Sequence, residues 1–136
     1  MDGKIVVAGY GYGPIAGSTA DFVIARFLPR GTLDATFHED GVVRIDFDHG
    51  TDRAFDVEVQ PNGKIAAVGS ATVNGSGRFG IVRFRSNGLR DLTFSGDGKA
   101  AQVRGSGYGS ALDGTPRLVV TGASGRAALT VRYKLI

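Results

Sequence analysis

The chain has 136 residues, which is enough for one domain with a hydrophobic core and too few for two. Hydrophobic residues make up 42% of it and charged residues 21%, which excludes a disordered chain, and no apolar run is long enough to predict a transmembrane helix. The absence of cysteine excludes disulfides and thiolate chemistry, and the 16 basic residues behind the net charge of +3 are too scattered to predict binding to nucleic acid.

Glycine is the compositional outlier, because 22 residues are glycine against a usual share of about 7%. These glycines separate short runs rich in β-branched residues, as the tight turns of a sheet require. No apolar pattern with a helical period runs long enough to predict a helix. The composition therefore predicts an all-β protein without a membrane segment.

The first residues, Met1 to Lys4, lack the basic and apolar segments of a secretory signal, so we expect none in this chain. A strand predicted over residues 2–9 leads into the glycine-rich segment 9–17, which superficially resembles a phosphate-binding loop. Such loops open a helix, whereas a second strand is predicted at 22–27, so we interpret the segment as a hairpin loop. Its tyrosines and one later tyrosine are candidates for contacting a protein or glycan ligand: Tyr10, Tyr12 and Tyr108.

The middle of the chain contains four predicted strands, at about 42–48, 53–60, 64–72 and 78–86. In the second of them, the apolar residues Phe55, Val57 and Val59 alternate with acidic ones, which predicts a half-buried strand. Asn62-Gly63 before the third is typical of a hairpin turn. The segment 89–97 is expected to lead from the outer edge of one unit to the inner edge of the next.

An internal repeat relates these elements to one another. Three pairs of segments match: 2–9 with 62–69, 22–27 with 79–84, and 31–37 with 88–94. A third, degraded copy begins at Asp113. The repeat predicts a single repeat domain, residues 1–136, composed of a half unit (1–40), a full unit (41–97) and a degenerate unit (98–136).

Four antiparallel strands in every unit of about 50–60 residues are typical of a propeller blade. The predicted fold class is all-β, with four-stranded antiparallel blade-like repeats of the β-propeller type. A β-solenoid or a twisted double sheet is the alternative, for which the units are rather long. Because a propeller usually needs about four blades to close, we expect either a partial ring or one assembled from several chains. The expected partners are therefore further copies of this chain or neighbouring repeats of a longer one.

Three residue types recur at matched positions: Arg26, Arg83 and Arg132, then Asp34 and Asp91, then Phe37 and Phe94. We expect each arginine that has a following aspartate to pair with it, which would tie the strand to the loop that leaves it. The phenylalanines are expected to fill the space between adjacent units. Anion binding by the arginines is the functional alternative.

No catalytic constellation is present, so we predict that the chain is not an enzyme and uses no cofactor or metal. His38 and His49 lie beside acidic residues. Because few metal ligands are supplied there, we interpret both as solvated loop histidines and not as a metal site. Residues 118–125 imitate the start of a short-chain dehydrogenase, yet too few residues follow for a dinucleotide fold.

The run Asp-Gly-Lys-Ile-Val-Val-Ala-Gly from Asp2, then Asp-Phe-x-x-Ala-Arg-Phe from Asp21, then Gly-x-Leu-Asp from Gly31, resembles the delta-60 repeat, a bacterial tandem repeat. The resemblance covers residues 2–98 well and 99–136 loosely, and Arg90 departs from the usual leucine. It implies a β-propeller in a large, exported or cell-surface bacterial protein, and it brings no catalytic residues.

Three functions remain open. The first is a non-catalytic scaffold or binding module that makes its contacts through the variable loops 10–20 and 71–77. The second is a self-assembling propeller fragment. The third, a propeller-type lyase or hydrolase or a glycan-binding module, is less favoured because convergent histidine, carboxylate or metal groups are not evident.

Overall fold

The computed structural model describes residues 2–114 and 116–135, which form ten β-strands and no helix, so the predicted all-β class is confirmed. No helix that could cross a membrane is found in this part of the chain. The strands are β1 Ile5–Tyr12, β2 Ala20–Phe27, β3 Val42–Ile45, β4 Arg53–Val59, β5 Ile65–Val73, β6 Ser76–Phe84, β7 Lys99–Ala100, β8 Ser106–Leu112, β9 Arg117–Ser124 and β10 Ala127–Lys134.

The strands form three consecutive antiparallel sheets. The first has the order β1-β2-β3, the second β4-β5-β6-β7 and the third β8-β9-β10. β4 packs against both β1 and β8, so the three sheets converge at this inner edge. We call β4 and β8 the inner strands. Within the described residues, the first sheet has no inner strand and the third has no counterpart of β7, so the arc of sheets is not closed.

The sheets divide the chain at different points from the predicted units. Residues 42–48 were expected to open the full unit, but β3 pairs with β2 through Phe22 opposite Ile45 and is the outer strand of the first sheet. The segment 89–97 was expected to connect units, yet it lies between β6 and β7 of one sheet. The connections between sheets are instead 46–52 and 101–105.

The half-buried face predicted for β4 is wrong for two of its three apolar residues. The pairing of β4 with β5 shifts between Ala54 and Asp56, which is a β-bulge at Phe55. Ala54 is buried, whereas Phe55 and Val59 are 42% and 52% exposed. The inserted residue changes which side chains point into the core, so simple alternation fails here.

The hydrophobic core lies in two layers between the sheets. Side chains along β5 alternate between them, because Ile65 and Ala67 join the layer toward the first sheet, while Ala66 and Val68 join the layer toward the third. All four are essentially inaccessible to solvent. Full burial of a large aliphatic side chain contributes about 1.5–3 kcal/mol, so both faces of the middle sheet stabilise the fold.

Candidate functional site

One buried carboxylate lies at the junction of the first and second sheets, and another lies at the junction of the second and third sheets. Asp34 and Asp91 are both about 2% exposed, and Oδ2 of each lies 2.8 Å from an arginine Nε, that of Arg26 and that of Arg83 respectively. These are the pairs expected from the repeat. A lysine also reaches the same oxygen, Lys4 at 3.0 Å and Lys64 at 2.8 Å.

A threonine completes each carboxylate site. The hydroxyls of Thr36 and Thr93 donate to Oδ1 of the aspartate two residues earlier, at 2.6 and 2.7 Å. The lysines and threonines were missed in the sequence, although Gly-Lys and Asp-x-Thr occur in both matched copies. Each carboxylate is therefore surrounded by two cations and a hydroxyl.

These contacts keep both aspartates ionised. Hydrogen bonds from Thr36, Lys4 and Arg26 outweigh burial and hold the pKa of Asp34 well below its usual value. Burial acts to raise the pKa of Asp91, but hydrogen bonds from Lys64 and Thr93, with the charge of Arg83, lower it well below its usual value.

The same arginines extend from one sheet to the next. Nη1 of Arg26 donates to the carbonyl of Ser86 in the second sheet's outgoing loop, and Nη1 of Arg83 donates to the carbonyl of Leu135 after the third sheet. The guanidinium of Arg26 lies 4.7 Å from the Phe37 ring centroid. The arginine position therefore fixes the docking of adjacent sheets as well as the loop that follows its own strand.

The two recurring phenylalanines lie where the sequence placed them, between sheets. Phe37 is fully buried in the layer between the first and second sheets, and Phe94 is 4% exposed in the layer between the second and third. Each lies under the guanidinium of its own repeat, since Arg83 lies 5.1 Å from the ring centroid of Phe94.

The third repeat keeps the arginine but changes its partner. The side chain of Arg132 is 61% exposed, and its Nε lies 3.9 Å from Asp113. Arg117, which matches Lys64, lies 3.5 Å from the same carboxylate. Asp113 thus lies near both Arg117 and Arg132 from the hairpin between β8 and β9. These side chains are far more exposed than their counterparts in the first two repeats.

A row of exposed aromatic rings crosses the inner edge of all three sheets. Phe55 of β4 and Tyr108 of β8 have ring centroids 5.5 Å apart, and Tyr10 of β1 lies 6.5 Å from Phe55. Their exposed fractions are 49% for Tyr10, 42% for Phe55 and 57% for Tyr108. Tyr12, the other predicted ligand tyrosine, is 61% exposed at the end of β1. Phe55 was not predicted as a site residue.

Polar groups flank this aromatic row. The guanidinium of Arg53 lies 5.1 Å from the centroid of the Tyr10 ring. Hydroxyl-bearing residues line a groove of about 150 Å³ together with Arg53, Phe55 and Tyr108: Thr51, Ser70 and Ser106. The aromatic row therefore has one apolar side and one edge rich in hydrogen-bonding groups.

The inner edge of the first sheet differs from that of the other two. A Cβ on Gly69 would lie 1.9 Å from the carbonyl oxygen of Arg53, and a Cβ on Gly122 would lie 1.9 Å from that of Ser106. Both glycines face the bulge of an inner strand, where no side chain fits. Gly9 occupies the same position in β1, and a Cβ there would meet nothing within 4 Å.

A comparison with protein-family models matches the chain to the family described as "Domain of unknown function (DUF5122) beta-propeller", over residues 2–37 and 60–94. These two segments are the matched copies of the internal repeat, and together they make up just over half of the chain. The chain belongs to this β-propeller family. No curated protein matches it significantly.

Membership of the DUF5122 family confirms the predicted propeller class. The three described sheets correspond to consecutive blades, and the propeller that they form is partial and not closed. The family is one of unknown function, so it transfers a fold and no reaction.

Three aspartates of this propeller segment converge near the first connection between sheets. Oxygens of Asp21, Asp46 and Asp52 lie within 4.8 Å of one another. Burial, assisted by the other two charges, raises the pKa of Asp52. Its two oxygens accept backbone N–H groups of Phe47 and Thr72, both at 2.8 Å. Asp52 thus ties the connection 46–52 to β5 of the second sheet, which is a structural role that requires no ion.

The remaining motifs take the places that their structural interpretations predicted. Segment 9–17 spans the end of β1 and the hairpin before β2, and residues 118–125 belong to β9 and the turn before β10. His49 is exposed and its Nδ1 lies 2.9 Å from Asp46, whereas the backbone N–H of His38 donates to Asn87 at 2.9 Å. The two histidines lie in separate loops.

Proposed function

We propose that this chain is a non-catalytic segment of a delta-60-type β-propeller. In this proposal an inner strand pairs with β1 of the first sheet, and a neighbouring blade of the same repeat packs against that sheet. The setting that fits the repeat resemblance is a bacterial exported or surface protein. The observation that carries the proposal is Gly9, which keeps the space for a strand that the described residues do not contain.

A glycine in the interior of a strand is destabilising unless a neighbouring group requires it. Glycine there loses backbone entropy and contributes no packing, which costs roughly 0.5–1 kcal/mol relative to alanine. At Gly69 and Gly122 the carbonyl of an inner strand requires it. At Gly9 nothing in the described structure does. An inner strand with the same bulge, lying beside β1, supplies the missing reason.

The first sheet has an apolar face that the described residues leave exposed. Ile5 and Val7 are 51% and 43% exposed, although their counterparts Ile65 and Ala67 are buried against the preceding sheet. In the middle sheet, the aliphatic residues on the equivalent face are covered by the preceding sheet. A blade that precedes the first sheet would cover Ile5 and Val7 in the same way. Covering them contributes about 1 kcal/mol each, since roughly half of each side chain remains to be buried.

The two end faces of the segment differ in polarity, and this difference identifies the partner. The opposite end of the segment presents a more polar face, because Thr121 and Thr130 are exposed at the positions of the buried Val68 and Ile81. A second copy docked head to tail would bury these threonines against Ile5. A neighbouring blade with the apolar face of the middle sheet fits better, so we assign the partner as such a blade.

A non-catalytic role is supported by the chemistry of the positions that recur between repeats. The buried carboxylates Asp34 and Asp91 are held ionised by cations and hydroxyls of their own repeat, and each lies inside a sheet junction. A general acid or base needs a pKa near neutrality and access to substrate. These carboxylates have neither property.

The test supplies the strand from the protein itself. A second copy of residues 46–61, which contain β4 and lead into Asn62-Gly63, is fused to the N-terminal side of Asp2-Gly3, so that the copied strand meets β1 in the register of the middle sheet. We expect the melting temperature to rise by at least about 3–5 °C, the shift for each 1 kcal/mol in a domain of this size. A glycine–serine segment of equal length is the control.

Gly9→Ala decides whether the gain comes from the proposed contact. In the extended chain this substitution is expected to remove the gain, whereas in the original chain it is neutral or stabilising by up to about 1 kcal/mol. An extended chain no more stable than its glycine–serine control contradicts the proposal. Concentration-dependent dimers of the original chain that Gly9→Ala abolishes, seen by sedimentation velocity, would instead assign the partner as a second copy.

A further inference from the structure

We infer that the inner-edge row of Tyr10, Phe55 and Tyr108 is a binding site for an acidic saccharide chain, with Arg53 as the residue that pairs with its carboxylate. This inference goes beyond the proposed function, and it concerns groups that are all present in the described chain.

The positions of Phe55 and Tyr108 show that the row is built by the fold. The pairing of β8 with β9 shifts between Gly107 and Gly109, just as that of β4 with β5 shifts at Phe55. Both rings are therefore carried by the extra residue of a bulge, at the same place in successive inner strands. Bulges re-aim side chains, and in the second and third sheets each bulge turns one aromatic ring toward solvent.

The spacing of the rings suits an extended ligand. Centroid distances of 6.5 and 5.5 Å make a nearly continuous apolar strip across three sheets. Exposed aromatic rings arranged in one patch mark a binding surface more strongly than scattered ones. The faces of aromatic rings pack against the C–H faces of sugar rings, and the hydroxyls of Tyr10 and Tyr108 can form hydrogen bonds at the same time.

Arg53 gives the site its charge preference. Its guanidinium lies over the Tyr10 ring, 5.1 Å from the centroid, and the residue lines the same groove as Phe55 and Tyr108. A carboxylate that lies along the aromatic strip would meet the guanidinium in this groove and form a charge-assisted bond with it.

Hydroxyl groups complete the polar edge of the groove. Ser106 Oγ and Ser70 Oγ lie 3.1 Å apart, and Thr51 lines the same groove. Hydroxyls both donate and accept, which matches the hydroxyl groups of a sugar. Apolar faces with a hydroxyl-rich edge and one cation therefore fit a uronate-containing saccharide better than an apolar ligand or a bare anion.

The probes are an oligogalacturonate and a neutral maltooligosaccharide of equal length, titrated into the intact chain by isothermal calorimetry. We expect the acidic chain to bind at least about tenfold more tightly, since a charge-assisted hydrogen bond exceeds a neutral one by about that factor. Arg53→Gln is expected to remove this preference. Tyr108→Ala is expected to weaken both sugars by about fivefold, because a stacking contact is lost.

Leu92→Ala is the matched control, since Leu92 is a similarly exposed apolar residue (53%) in a turn between β6 and β7. Tyr108 is exposed enough for its variant to fold, so the test survives if Arg53→Gln is unstable. No binding of either sugar at millimolar concentration overturns the inference. So does equal weakening by Leu92→Ala, or an acidic preference that Arg53→Gln leaves intact in a folded variant.

Discussion

The three equivalent glycines provide the sharpest test of the sheet arrangement. Alanine at Gly69 would place Cβ 1.9 Å from the carbonyl oxygen of Arg53 and 2.8 Å from Cα of Ala54. Both neighbours are backbone atoms, which cannot rotate away as a side chain can. The inner strand must therefore move off β5, or the bulge must be lost.

The expected loss for Gly69→Ala is about 3 kcal/mol of unfolding free energy, the upper end of the usual cost of overpacking. In a domain of this size that loss lowers the melting temperature by about 10 °C. Gly122→Ala should behave similarly, because its Cβ meets the carbonyl of Ser106 at the same 1.9 Å. Gly9→Ala is the matched control and should cost nothing.

The assay is urea denaturation of the original chain and the three variants, followed by circular dichroism and fitted with a common m-value. The reasoning is refuted if Gly69→Ala loses less than about 1 kcal/mol, the typical effect of an unremarkable substitution. It is equally refuted if Gly9→Ala is as destabilising as Gly69→Ala, because the inner edge of the first sheet would then be occupied.

Three further predictions concern the junctions and the open face. Arg83→Ala should cost about 3 kcal/mol in thermal or urea unfolding, because the buried Asp91 keeps Lys64 but loses one of its two cations, and the contacts of the guanidinium with Leu135 and Phe94 are lost. The exposed Arg132→Ala should cost less than about 0.5 kcal/mol, and similar losses for the two variants would remove the pairing argument. Since the pKa of Asp91 is lowered on folding, its contribution is present above the unfolded pKa of about 3.9 and disappears as pH falls toward the folded value. Asp91→Asn should therefore flatten the decline of melting temperature below pH 4. Asp52 acts in the opposite direction to Asp91, because its pKa is raised on folding and its protonation stabilises the fold as pH falls. Ile5→Lys should leave the stability of the original chain within about 0.5 kcal/mol but reduce that of a chain extended by a full preceding blade, measured by urea unfolding of both.

Much of the architecture followed from the internal repeat. A repeated Arg, Asp and Phe in two copies predicted a shared structural unit, and Arg26 with Asp34 and Phe37 indeed lie together at a junction. Recurrence reveals such sets because each repeat makes the same contacts with its neighbour. Lys4 and Thr36 recur equally well, as Lys64 and Thr93, so a comparison of the two copies was sufficient to find them.

The sheet boundaries could not be read from the repeat. A periodic sequence can be divided at any point of its period, and hydrogen bonding decides the division. Here Val42 and Ile45 pair back onto β2, so the strand that seemed to open a unit closes the previous sheet. The repeat length indicated the number of strands in each unit, but it did not show at which strand each sheet begins.

The aromatic row was hidden for a different reason. Phe55 alternates with acidic residues and therefore looked like a core residue of a half-buried strand. The bulge that exposes it depends on Gly69 of the neighbouring strand, ten or more residues away, so no local pattern reports it. Tyr10 and Tyr108 were candidates because they lie in glycine-rich segments, but their alignment with Phe55 arises only when three sheets converge.

Hydrogen exchange at the first sheet, followed by NMR at low protein concentration, tests the central claim most directly. The account predicts that the alternate amides of β1 that point away from β2 exchange rapidly, while the matching amides of β5, which lies between two strands, are strongly protected. Equal protection along both strands would mean that β1 already has a partner on its inner side, and the open propeller segment would be contradicted.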